Sequence, residues 1–105
     1  MSKFHALHVA EIKKETPDCV SVRFKLSNAQ QETFGFKQGQ YLTLRKEIDG
    51  EDVRRSYSIC TSPLDEQLTV AIKKVEGGLF STFANDKLKV GDTLDVMPPM
   101  GNFTL

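Results

Sequence analysis

Residues 20–26 read Val20-Ser21-Val22-Arg23-Phe24-Lys25-Leu26, and every second side chain in the run is apolar. A period of two is that of a strand with one face in a core and the other in water. One-sided burial of this kind is characteristic of antiparallel sheets. Working outward, similar strand-like runs occupy about residues 5–14, 40–47, 53–60, 67–75 and 93–97. Turn signals separate them at Thr16-Pro17-Asp18, Asp49-Gly50, Ser62-Pro63 and Gly91-Asp92. Asp49-Gly50 predicts a tight hairpin, because the primed turns that suit a twisted strand pair need positive φ values that Asp tolerates and Gly adopts freely.

The spacing predicts one helix, from about Leu79 to Asp86, where Leu79, Phe80, Phe83 and Ala84 form an apolar face behind a Gly77-Gly78 break. Ser27 to Gly39 has weak periodicity and reads as a long loop. Six short strands and one short helix make the expected fold all-β, either a small sandwich or a barrel, with the barrel favoured. No internal repeat, low-complexity tract or linker interrupts the pattern, so residues 1–105 are read as one domain.

Composition narrows the function classes. Fourteen Lys and Arg balance fourteen Asp and Glu, whereas a nucleic-acid module concentrates basic charge. No apolar run nears the ~18–20 residues that span a bilayer, and MSKFHALHVA lacks the apolar segment of a signal peptide. The expected setting is therefore cytoplasmic, without a membrane partner. Cys19 and Cys60 are too few for a disulfide framework and lack CxxC spacing, so they read as small buried apolar side chains. His5 and His8 without a third nearby ligand give no expectation of a metal.

Two strings carry chemistry. In Arg54-Arg55-Ser56-Tyr57-Ser58, strand alternation places Arg55 and Tyr57 side by side on one surface. Such a pair suits a ligand that joins a flat ring to a phosphate, since Tyr stacks on the ring and Arg offers a bidentate fork to phosphate oxygens. It is equally what an exposed cross-strand pair looks like. The second string, Gly77-Gly78-Leu79-Phe80-Ser81, opens the helix, where free N–H groups and the helix dipole favour an anion. Paired glycines also mark ordinary strand-to-helix turns.

Taken in order, Arg55-Ser56-Tyr57-Ser58 as RxYS and Gly78-Leu79-Phe80-Ser81 as GxxS, after a strand ending Ala71-Ile72-Lys73, resemble the ferredoxin–NADP reductase superfamily. More narrowly, VRRSYSIC, LTVAIKKVEGGLFSTFAND and LDVMPPMGNF resemble the reductase components of bacterial phenylacetyl-CoA oxygenase (epoxidase) systems, a likeness that spans nearly the whole chain. The resemblance implies a flavin-binding domain built as a six-stranded antiparallel Greek-key β-barrel with one helix. It implies FAD as cofactor, with Arg55 on its phosphates, Tyr57 stacked on the isoalloxazine and Ser56 within the same string. Ser58 would approach the flavin N5 edge; because alternation turns Ser58 away from Tyr57, that role needs a local bend or a backbone contact. Ile72 and Lys73 match the strand that passes the flavin, and Gly78, Phe80 and Ser81 match the pyrophosphate-holding helix start.

Gly39-Gln40-Tyr41 resembles the family's PGQ turn with Gln38 in the proline position, and Pro99-Met100-Gly101-Asn102-Phe103 resembles the PxGxF string that closes the barrel. Relatives of this type continue into an NAD(P)H-binding domain and a 2Fe–2S domain and deliver electrons to an oxygenase component. Neither domain is legible in these residues, so the chain reads as part of a longer reductase that is not catalytically complete alone. The competing expectation is a cofactor-free barrel of oligonucleotide-binding type, using Arg54, Arg55, Lys73 and Tyr57 as one basic and aromatic surface.

Overall fold

A computed structural model of the chain describes residues 4–61 and 67–101. Its elements in order are β1 (His5–Thr16), β2 (Cys19–Lys25), α1 (Asn28–Thr33), β3 (Tyr41–Ile48), β4 (Glu51–Ser58), β5 (Leu68–Lys73), α2 (Leu79–Asp86) and β6 (Thr93–Val96). The six strands form one sheet in the order β4-β3-β6-β1-β2-β5, with every neighbouring pair antiparallel. β4 and β5 are its edges. Just past β4 the chain meets β5: Ile59 bridges Val70, and the Cys60 N–H donates to the Thr69 carbonyl at 2.9 Å.

The alternation that marks β2 is realised in its burial, with Val20, Val22 and Phe24 enclosed. β1 changes phase part-way. Leu7 and Val9 face the core, Ala10 is left out of the pairing with β2, and Ile12 opposite Val22 then packs against the core. One bulged residue shifts a period-two pattern by one step and lets both halves of a long strand bury their apolar side chains. The β3–β4 turn has φ of 52° at Asp49 and 82° at Gly50, the positive pair expected of a primed two-residue hairpin. From there β3 and β4 pair without a break, from Ile48–Glu51 to Tyr41–Ser58.

The expectation of a single helix is corrected. Within the segment read as a long loop, Ser27 caps α1: its hydroxyl accepts from the Gln30 N–H at 3.2 Å, and the Gln30 side chain accepts from the Ser27 N–H at 3.0 Å. This reciprocal capping box forms a six-residue helix with no buried residue of its own, so no apolar stripe announces it. Gln40 ties the following turn to the end of the described chain, accepting from the Lys37 N–H at 2.8 Å and donating to the Gly101 carbonyl at 3.2 Å.

The core gathers Leu7, Val22, Leu42, Leu44, Val70 and Phe80 beneath α2. The cysteines are less buried than expected: Cys19 is half-buried and Cys60 exposed, and both are free. Cys60 lies just beyond the strand alternation, where the chain crosses to β5. The Ser62-Pro63 turn, Asn102 and Phe103 lie outside the described residues. Among the described residues no helix is long and apolar enough to cross a membrane.

Candidate functional site

Because β4 pairs with β3 in unbroken register, its faces follow directly from alternation. Val53, Arg55 and Tyr57 share the inner face; Arg54, Ser56 and Ser58 share the other. Burial is uneven along the inner face: Val53 is enclosed, Arg55 exposed and Tyr57 half-buried. The structure thus brings Arg55 and Tyr57 together as the sequence expects. Burial pushes the Tyr57 phenol up, and the nearby Arg55 charge partly offsets it.

The Tyr57 ring rests on Phe80, 5.9 Å between centroids, and Phe80 in turn meets Phe83 edge-on at 6.2 Å. β4 is thereby fixed to α2 through one aromatic row. Arg55 donates to the Arg54 carbonyl at 2.6 Å and, among the described residues, is in no ion pair. Its neighbour differs. Arg54 is held by Asp52 at 3.0 and 3.3 Å and lies over Phe4 at 5.2 Å, while Arg45 covers the same ring at 4.7 Å. The four residues of the expected oligonucleotide surface therefore do not share a face: Arg54 is turned away from Arg55 and Tyr57 and already neutralised.

Ser56 and Ser58 lie on the face opposite Tyr57. The Ser56 hydroxyl is 2.9 Å from that of Thr43. The ladder runs straight through Ser58, and the chain changes direction only after it, where the Ile59 N–H donates to the Gln40 carbonyl at 3.0 Å. On β5, Ile72 is enclosed and its carbonyl accepts from the Asn85 amide at 3.1 Å, while Lys73 is exposed opposite Cys19. Asn85 also donates to the Ser81 carbonyl at 2.9 Å, so one side chain clamps α2 to β5. Sequence reading had no signal for it, since an Asn near a helix end reads as a terminator.

At the start of α2, Gly77 has φ of 76° and Gly78 is the N-cap, without a side chain closing the first turn. Phe80 points wholly into the core. The buried Ser81 hydroxyl accepts from the Val75 N–H at 3.0 Å and donates to the Gly78 carbonyl at 3.4 Å, so it braces the loop from within. What this segment offers outward is backbone. It borders a groove of about 230 Å³ between the β3–β4 turn (Ile48, Asp49) and Gly77, Gly78 and Leu79, with Phe83 in its wall.

A Cβ on Gly78 would stand 2.6 Å from the Ser81 hydroxyl and 3.1 Å from the Val75 carbonyl. Gly78→Ala is therefore expected to cost about 1–3 kcal/mol, as overpacking does, read as a lower urea midpoint with an unchanged slope. An unchanged midpoint would mean that Ser81 swings aside freely.

The family described as oxidoreductase FAD-binding domain matches residues 6–105. This chain belongs to that family. The FAD-binding domain is 46% identical over 103 residues to one of the subunits that make up 1,2-phenylacetyl-CoA epoxidase in Escherichia coli (strain K12), a match that covers 98% of this chain and 29% of that one. The domain thus spans less than a third of that relative's length. Among solved structures it is similar to the cytochrome b5 reductase domain of Ulva prolifera nitrate reductase, at 28% identity and a TM-score of 0.77, covering 94% of this chain and 40% of the other. It is similar also to phthalate dioxygenase reductase, described as a modular structure for electron transfer from pyridine nucleotides to a 2Fe–2S centre, at 25% identity and a TM-score of 0.75, covering 97% and 31%.

Proposed function

We propose that this domain holds FAD along the inner face of β4 and at the start of α2, within a longer NAD(P)H-dependent reductase that passes electrons through a 2Fe–2S centre to an oxygenase component. The observation that carries this reading is the pairing of Arg55, with no carboxylate partner among the described residues, and half-buried Tyr57 on one face. When bound, FAD supplies the redox chemistry, taking two electrons as hydride and passing them on singly. The chain's own residues bind and orient it.

In this reading Arg55 forks onto the phosphates, as a planar guanidinium does best. Tyr57, backed by Phe80, offers a fixed plane to the isoalloxazine. Phe80 and Ser81 contribute backbone N–H groups at a helix end that no side chain caps, while Gly78, whose own N–H donates to the Val75 carbonyl at 2.9 Å, leaves room for the Ser81 hydroxyl that braces the turn. Ile72 and Lys73 contribute backbone, Ser56 pairs with Thr43 to stiffen the strand, and Ser58, whose side chain is on the opposite face, meets the N5 edge through its backbone at the strand's end. The contact of Ile59 and Cys60 with β5 supports closure of the sheet into a Greek-key barrel. The likeness to the epoxidase component supports phenylacetate breakdown as the setting, with the oxygenase as partner and the NAD(P)H-binding and 2Fe–2S domains as neighbours in the full-length chain. A cytoplasmic location agrees with two free thiols.

The test is a titration of flavin-free protein with FAD, followed by flavin fluorescence and absorbance. Saturable binding to one site is expected, weakened about two- to tenfold in Tyr57→Ala if the ring contact contributes about 0.5–1.5 kcal/mol. A folded wild-type protein that leaves flavin fluorescence unchanged would overturn the reading.

A further inference from the structure

The connection from β5 to α2 carries two segments that the proposed reading sets against FAD: the strand end at Ile72 and Lys73, and the helix start at Phe80 and Ser81. Two side chains one helical turn apart hold this connection from within. The Ser81 hydroxyl accepts from the Val75 N–H at 3.0 Å and donates to the Gly78 carbonyl at 3.4 Å. One turn on, the Asn85 amide donates to the Ile72 carbonyl at 3.1 Å and to the Ser81 carbonyl at 2.9 Å. The bonds therefore run without a gap from the strand, through Asn85 and Ser81, to Val75 and Gly78 in the turn.

Asn85 makes these bonds at a cost. Its Oδ1 is enclosed without a protein partner, the only buried side-chain nitrogen or oxygen of which this is true among the described residues. An unpaired buried acceptor destabilises a fold. Asparagine is also a poorer helix former than leucine. Position 85 is half-buried and stands beside the buried Ala84 and Leu88, so stability alone favours an apolar side chain there. What only the amide supplies is a pair of donors for two carbonyls on different elements. The Lys74–Asp86 ion pair, at 2.9 Å, also ties the end of β5 to α2, but both partners are exposed, and an ion pair in water holds a distance weakly.

We infer that Asn85 is a positioning residue for the flavin: by bonding the Ile72 and Ser81 carbonyls it fixes the spacing between the strand end beside the ring and the helix start at the phosphates, so that one pose of FAD meets both. This rests on the reading that FAD lies along β4 and the start of α2. Asn85 acts through the backbone it holds and not by touching FAD.

The experiment compares wild type, Asn85→Leu, Asn85→Ser and Asp86→Asn by thermal melt, by FAD titration and by the visible circular dichroism of bound FAD, which reports how the ring is held. Leucine keeps the approximate size of asparagine and removes both the donors and the unpaired oxygen. A serine hydroxyl still bonds the Ser81 carbonyl one turn back, but is too short to reach Ile72. Asn85→Leu is expected to melt within about 4 °C of wild type, yet to bind FAD about two- to tenfold more weakly, the scale of one hydrogen bond, and with an altered visible band. Asn85→Ser should show the same loss and the same altered band, and Asp86→Asn should keep the wild-type affinity and band. A lower melting temperature in the Asn85 variants, with wild-type affinity and band in the folded protein, would make Asn85 a structural clamp only and overturn the inference. Wild-type behaviour of Asn85→Ser, or equal losses in Asp86→Asn, would do the same. Should neither Asn85 variant fold, hydrogen exchange of the wild type decides: FAD should slow the Lys73 and Ser81 amides together, and slowing of one without the other would sink the coupling. All these results leave flavin binding itself intact, whereas a folded wild type that leaves FAD unbound would overturn the parent reading and this one with it.

Discussion

Phe80→Ala is expected to lower the stability of the domain by about 3–5 kcal/mol, the range for removing a fully enclosed phenyl ring. Phe80 has no exposed surface and joins Tyr57 on β4 to Phe83 on α2. Its removal leaves a cavity where the helix meets the sheet and strips the support from under Tyr57. Domains of this size have a total stability of about 5–15 kcal/mol, and each 1 kcal/mol moves the Tm by about 4–8 °C. A fall of more than about 12 °C in a thermal melt is the expected reading, with FAD affinity falling in the remaining folded protein as Tyr57 loses its fixed plane. A drop of less than about 4 °C would show that the surrounding Leu and Val side chains close the gap, and that α2 does not depend on this ring.

Arg55→Ala is expected to separate binding from stability. The exposed Arg55 side chain is bonded only to a neighbouring carbonyl among the described residues, so truncation removes little that holds the fold. Toward a phosphate it loses a bidentate, charge-assisted contact of about 1.5–3 kcal/mol, which is about 10–100-fold in FAD affinity. Arg55→Lys should recover only part of this, because an ammonium keeps the charge and lacks the fork. Arg54→Ala is the internal control: its guanidinium is spent on Asp52 and Phe4 on the opposite face, so FAD affinity should hold. Equal losses at both positions would mean that the domain senses overall charge, and the assignment of Arg55 would fail.

The strands were legible because one-sided burial imposes a period of two, and β2 follows it without a break. α2 was legible from the glycine pair and the spacing of Leu79, Phe80, Phe83 and Ala84, and its observed bounds coincide with the expected ones. α1 was missed for the converse reason: a helix stabilised by its cap at Ser27 and Gln30 need not carry an apolar stripe. In β1 the bulge at Ala10 moved the period by one, a shift that a pairing partner decides and a single strand cannot announce.

The site was legible only as far as strand geometry reaches. Arg55 and Tyr57 lie on one face because alternation requires it. That Phe80 and Ser81 turn inward depends on what α2 packs against, and that Arg54 is neutralised depends on Asp52 and on Phe4, far away in sequence.

β4 also lies at the open margin of the sheet. An uncovered margin invites a second copy of the chain to add its own strand, the first step toward aggregation. Here Glu51, Asp52, Arg54 and Arg55 place charge of both signs along that margin, and its more apolar end, at Ile59, is already taken by Val70. In the proposed reading Arg55 would thus have two duties, one toward the ligand and one as a gatekeeper against self-association, so its charge would be constrained twice over: by what the domain must hold and by what it must refuse.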